Sequence, residues 1–177
     1  AVPGIVIAVG LLLPLAAFDN ALDAWMKARF GIGTGLLLTG SVAALLYAYV
    51  VRYFAVGFQP IEAGLARITP AMDASARSLG ASPREVFTRV HLPLLTPSLA
   101  AAALLVFVDV MKELPATLVL RPFNFDTLAV IAYQFAADER LGEAAIPSLT
   151  IVAVGVLPVV LLSRAIARSS QPGQWTT

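Results

Sequence analysis

The sequence predicts an all-α integral membrane protein, a polytopic helical bundle, on three observations. Of its 177 residues, 59% are hydrophobic and only 13% are charged, whereas a soluble domain keeps about a quarter of its residues charged. Charge-free runs occur at Ala1–Ala17, Gly31–Val51 and Ala144–Ser163, close to the ~20 residues that cross a bilayer core. A fourth run begins near Leu94, with SLAAAALLVFV as its clean portion, so about four transmembrane helices are expected. Pro3, Gly4, Pro14, Gly155 and Pro158 lie inside these runs, and membrane helices tolerate such residues better than soluble ones do.

The first run, AVPGIVIAVGLLLPLAA, opens without a Met and without the basic residues of a secretory signal. A chain entered mid-helix, as a fragment of a longer one, is the expectation. Residues 18–30 then read as a short outer connection. The second run carries Gly33, Gly35, Gly40, Ser41, Ala43 and Ala44, small residues that suit close helix–helix contact or simply follow from composition.

Orientation follows from Lys and Arg, which favour the cytoplasmic side. The connection 52–95 holds Arg52, Arg67, Arg77, Arg84 and Arg89 against Glu62, Asp73 and Glu85, and the end of the chain adds Arg164 and Arg168. The connection 121–143 has Arg121 and Arg140 but also Asp126, Asp138, Glu139 and Glu143. Residues 52–95 and the tail 169–177 are therefore expected inside, and 18–30 and 121–143 outside, although Lys27 and Arg29 weaken the bias in the short outer connection.

A connection as long as 52–95 should carry structure of its own. Thr69-Pro70 supplies an N-cap and a proline at the first helical position, and Gly80 suits the left-handed C-terminal cap of that helix. Ser82-Pro83-Arg84-Glu85 is a capping box that opens a second short helix, PREVFTRVHL, after which Pro93 and Pro97 mark the return to the membrane. Two short helices meeting at a glycine make a compact elbow. Val86, Phe87 and Val90 suit either a helix lying on the bilayer surface or insertion into a groove on another protein. His91 reads as a loop residue facing a partner or solvent.

Several chemistries are excluded. There is no cysteine and one histidine, so thiolate and multi-histidine metal sites are absent. No G-x-x-x-x-G-K-[ST] stretch occurs, so this chain cannot cradle ATP phosphates. Net charge is +1, which gives no reason for a nucleic-acid partner. No catalytic residue, cofactor or metal ligand is assigned.

The stretch FVDVMKELPATLVL, residues 107–120, places Asp109, Lys112, Glu113 and Pro115 within an apolar region. A central Asp or Lys costs about 2.5–3.5 kcal/mol on insertion. Fifteen residues of helix from Leu94 put Asp109 roughly 22 Å along the axis, past the midplane toward the outer side. Lys112 and Glu113 are near enough to the boundary to snorkel. Asp109 can pair with Lys112 and repels Glu113 on the same face, and Pro115 should break the helix. The group should face protein or a water-filled path and not lipid, either lining the outer end of such a path, or bracing its gate, or forming a structural ion cluster between helices.

SLGASPREVFTRVHLPLL resembles the cytoplasmic loop of ABC-importer permeases, patterned Glu-Ala-Ala, three residues, Gly, nine residues, an aliphatic residue, any residue, Leu-Pro. Gly80, Val90, Leu92 and Pro93 match that spacing, and Ala74, Ser75 and Ala76 occupy the Glu-Ala-Ala positions, so the glutamate is missing and Asp73 lies one residue early. The helices AVPGIVIAVGLL and LLLTGSVAALLYAYVVRYF are also similar to that family, and MKELPATLVLRPFNFDTLA resembles its ferric-iron branch. The resemblance implies a type I importer permease domain over 1–168. Its elbow, Ala74–Ala76, Gly80, Ala81, Ser82, Pro83, Val90, Leu92 and Pro93, would dock on an ATP-binding cassette subunit. It further implies a periplasmic iron-binding protein, a second permease half or subunit, a multi-pass place in a bacterial inner membrane, and no enzymatic activity in this chain. Permeases for a polyamine, a phosphonate or thiamine are the alternatives, as is an ion-coupled secondary transporter using Asp109 or Glu113.

Overall fold

A computed structural model describes residues 2–169, so the expected tail 169–177 lies outside the described residues apart from Ser169. Among the described residues there are helices and no strand, in the order α1 (Gly4–Phe30), α2 (Val42–Leu65), α3 (Pro70–Ser78), α4 (Pro83–Val86), a π turn (Phe87–His91), α5 (Leu92–Met111), α6 (Pro115–Leu120), α7 (Leu128–Ala137) and α8 (Leu141–Ser169). Among the described residues, four helical stretches are long and apolar enough to cross a membrane: Gly4–Phe30, Val42–Leu65, Pro83–Met111 and Leu141–Val160. The all-helical, four-span expectation holds, but the bounds move.

The first correction concerns residues 18–41. Residues 18–30 are not a loop: α1 continues through them to Phe30 and ends on Gly31 at φ 69. The loop comes later, over 31–41, where Gly31, Gly35 and Gly40 all have positive φ, conformations that glycine adopts without steric cost. Asp19, wholly buried, holds this loop by accepting from the backbone N–H groups of Leu38 and Thr39. Asp23 accepts from Gly35 N–H at 2.9 Å and pairs with Lys27 one turn on. Ser41 then caps α2, its hydroxyl 3.2 Å from the Ala44 nitrogen. The charges that suggested a connection are thus helix residues that serve the loop after it.

In consequence the second span is Val42–Leu65, and Arg52 lies inside a helix rather than in the inner connection. Gly33, Gly35 and Gly40 make no helix–helix contact, since they belong to the loop. Close approach is made instead by Gly57 and Gly64 of α2. A Cβ at Gly57 would come within 3.2 Å of Val106, and one at Gly64 within 2.8 Å of the Ser98 Cβ, both on α5. Two glycines spaced two helical turns apart let backbones approach in the manner of small-residue membrane packing.

The chain divides into two compact units, Ala1–Phe54 with Asp109–Ala153, and Ala55–Val108 with Val154–Thr177. In the first, Ala8 of α1, Leu45 and Ala48 of α2, and Ala116 and Leu120 of α6 form a buried core, with Leu11, Leu12, Tyr49 and Val119 packed on it. The connection 121–143 is partly ordered as α7, an apolar helix whose N-terminus is capped by the Thr127 side chain. The second unit contains the α2–α5 glycine contact and the elbow.

Candidate functional site

In the first unit the charged stretch forms a buried polar node. Helix α5 ends at Met111, ahead of the expected break, and Pro115 does not end a helix but opens α6 at a position where its missing N–H costs nothing. The gap, Lys112 to Leu114, interrupts the helix between Asp109 and Pro115. Glu113 does not snorkel: it is 4% exposed.

Its carboxylate is saturated by three donors from two elements of this unit, α2 and α6. Arg52 Nε lies 3.0 Å from Oε2, Tyr53 donates its hydroxyl to the same oxygen at 2.6 Å, and the Ala116 N–H of α6 donates to Oε1 at 3.0 Å. The backbone carbonyl of Glu113 accepts from Thr117 Oγ1 at 2.8 Å, and with that proton committed, Tyr49 donates to Thr117 at 2.5 Å. Tyr49, Arg52 and Tyr53 stand at i, i+3 and i+4 on one face of α2, so one helical stripe grips the whole break. Gly4 of α1 closes the node. A Cβ there would fall on the Arg52 guanidinium and 2.7 Å from Glu113 Oε1.

Asp109 behaves otherwise. It pairs with Lys112 at 2.9 Å, as expected, and both remain accessible, with side chains 32% and 64% exposed. Of the two carboxylates the more deeply placed along the sequence is thus the wetter one. Sequence reasoning missed Arg52, Tyr53 and Gly4 as partners of Glu113. The available signal was Arg52 itself, an arginine flanked by YAYVV and YFAV, which reads more naturally as a helix residue than as a loop charge.

The second unit carries the elbow. Thr69 is extended with Pro70 at the first helical position, and α3 ends into Gly80 at φ 86. The capping box is present: Ser82 N–H donates to Glu85 at 2.9 Å and the Ser82 hydroxyl accepts from Glu85 N–H. From Pro83 onward, however, there is no second short helix with a break at Pro93. Helix α4, the π turn and α5 run on without interruption to Met111. Leu92 N–H reaches back to the Phe87 carbonyl. The widened turn relieves the crowding and the missing donor that Pro93 would otherwise impose inside an α-helix.

Val86, Phe87 and Val90 do not share one exposed stripe, because Val86 is buried and Val90 half-buried while Phe87 is exposed. The apolar surface of the elbow is instead Leu79, 88% exposed and missed by sequence reasoning, together with Phe87 and Met72. Ala74, Ser75, Gly80, Ser82, Pro83, Leu92 and Pro93 are exposed, and Ala76 and Ala81 are half-buried. His91 is not a solvent-facing loop residue: its Nε2 lies 2.6 Å from Asp73 Oδ1 of α3. Among the described residues no group of three His, Asp or Glu side chains gathers as a metal site would need.

A loop of this build, on a chain of this hydropathy, is matched by one family profile, the binding-protein-dependent transport system inner membrane component, over residues 1–175. The chain belongs to this family. The resemblance of the chain to importer permeases and the all-helical fold are both borne out at that level. Relatives of this inner membrane component include the Fe(3+)-transport system permease protein FbpB 2 of Haemophilus influenzae, 29% identical over 93% of this chain and 29% of the relative. A Salmonella typhimurium protein named as the 2-aminoethylphosphonate transport permease PhnV is 32% identical over 77% of this chain and 51% of its own length. A Sinorhizobium fredii protein named as ABC transporter permease y4fN is 27% identical over 97% of this chain and 28% of its own. The chain thus spans about half or less of the curated relatives it matches. No solved structure matches it.

Proposed function

We propose that this chain is part of the transmembrane permease of an ATP-driven importer and forms a translocation path for ferric iron delivered by a binding protein. The observation that carries the reading is the alignment with FbpB 2, named for Fe(3+) transport, along nearly the whole chain. Ferric ion is hard and prefers oxygen donors, and the chain offers carboxylates and tyrosines with no cysteine. ATP binding would close a separate ATP-binding cassette subunit on the elbow from Gly80 to Leu92, and the helices would rock between outward- and inward-facing states. A second permease half or subunit would complete the path, in the inner membrane of a bacterium.

Within this reading the charged stretch divides its labour. Asp109 and Lys112, accessible and paired, suit the lining of the path. Glu113 and Pro115, fixed by Arg52, Tyr53 and the start of α6, suit the brace of its gate.

A second reading is favoured by a specific observation. PhnV is the more identical relative over its aligned region and is named for 2-aminoethylphosphonate, an anion whose path an arginine and a lysine would serve. The test is uptake by the intact transporter in proteoliposomes, loaded inside with ATP, with radiolabelled ferric iron and 2-aminoethylphosphonate offered each with its binding protein. Iron uptake that requires ATP is expected. Uptake of the phosphonate alone would replace the substrate, and uptake driven by a proton gradient without ATP would overturn the importer reading.

A further inference from the structure

The elbow turns at Gly80, whose N–H is bonded back to Arg77 of α3 and whose side-chain side is open. Gly80 sits at φ 86, and a Cβ there would meet no atom within 4 Å. Helix α3, on one side of the hinge, has no buried residue, so no core holds it at a set angle. Nine residues of helix without a buried face are not stable in isolation. The backbone bonds that close the end of α3, from Gly80 to Arg77 and from Ala81 to Ala76, stop short of Pro83, so a further contact must fix α3 against the helix that starts there.

Among the described residues, one side-chain hydrogen bond or ion pair joins the two: Asp73 of α3 with His91 of the π turn, 2.6 Å apart and both half-buried. The remaining polar contacts are internal to one side, such as Ser75 to Ala71 and Arg89 to Glu85. The π turn is what presents the histidine. One extra residue in a turn rotates the later part of the helix by about 100° relative to a straight α-helix, and His91 is the last residue of that turn, its ring edge against Phe87 at 6.3 Å.

We propose that Asp73 and His91 are a positioning pair, an internal clasp that makes α3, Gly80 and the Pro83–Met111 helix move as one body. A push on the exposed residues of the elbow, Leu79 and Phe87, then reaches α5 instead of being absorbed by flexion at Gly80. This rests on the importer reading for the source of the push. The clasp uses the acidic residue one position before the Glu-Ala-Ala site, where this chain has Ala74, so the carboxylate here faces inward to the chain's own histidine.

The chain has no cysteine, so single cysteines can be introduced and labelled cleanly. Nitroxides on Ala71→Cys and Arg84→Cys, both exposed positions, report the distance across the hinge by pulsed dipolar spectroscopy in the intact transporter with its ATPase. One narrow distance distribution is expected, unchanged on trapping with ATP. Asp73→Ala and His91→Ala should each broaden it and let it shift with ATP. The double variant should do no more than either single one, because both remove the same bond. Asp73→Asn, whose amide oxygen still accepts from the ring, should stay narrow. Narrow distributions in every variant, or a broad one in the parent, overturn the clasp. If no ATPase co-purifies with the parent yet the alanine variants still broaden the distance, the clasp stands and the importer reading fails.

Discussion

Arg52 Nε lies 3.0 Å from the Glu113 carboxylate, and the Glu113 side chain is 3% exposed. Removing one partner of a buried pair leaves the other charge uncompensated, at a cost of ~3–5 kcal/mol. Arg52→Met should therefore lower the thermal midpoint of the detergent-solubilised protein markedly. Adding Glu113→Gln should recover part of the loss, since it removes the unpaired charge and its amide oxygen still accepts from one of the two donors, Tyr53 or the Ala116 N–H. If the double variant melts below the single one, the ion pair is not what sets stability at this node.

The same node makes a prediction for a residue without a side chain. A Cβ at Gly4 collides with the Arg52 guanidinium and approaches Glu113 to 2.7 Å, whereas Gly10 on the same helix has no atom within 4 Å of its added Cβ. Gly4→Leu should reduce the yield of monodisperse protein in gel filtration, and Gly10→Leu should leave it unchanged. Equal behaviour of the two would refute the close packing of α1 on the node.

Asp109 and Lys112 form an accessible pair of the kind worth about 0–1 kcal/mol. Asp109→Asn should leave the melting temperature within a degree or two, by that small energy, yet reduce uptake severalfold. Normal uptake at normal expression would remove Asp109 from the translocation path.

At the elbow, Gly80→Val forces a branched residue into the left-handed region at φ 86, at a cost of about 1–2 kcal/mol. On the importer reading proposed above, co-purification with an ATP-binding cassette subunit should fall. Ser82→Ala removes the cap of the helix that begins at Pro83 for about 1 kcal/mol and should weaken the same association less. The opposite ranking would mean that the cap, and not the hinge, shapes the docking surface.

The four spans and the elbow were legible because both leave local signals. Hydropathy marks the spans, and Thr69-Pro70, Gly80 and Ser82–Glu85 are short-range stop and start codes whose partners lie within a few residues. The span boundaries were not legible where a long-range bond decided them. Asp19 and Asp23 look like loop charges until the N–H groups of Leu38, Thr39 and Gly35 are seen to fall on them. Pro93 and Pro115 look like breaks, but one is accommodated by a π turn and the other begins a helix. Asp109 and Glu113 exchanged the burial expected of them because the helix stops at Met111 and Glu113 falls in the three-residue gap gripped by Arg52 and Tyr53.

Asp19 meets the backbone of its loop at the N–H groups of Leu38 and Thr39, with the half-buried Thr39 side chain beside it. Such a bond demands a particular side chain from one partner and almost nothing from the other. Position 38 can then change to most residue types other than proline without losing its bond, while position 19 admits no replacement that lacks a paired acceptor. At that point of the loop, variation is uncoupled from variation in the helix that holds it.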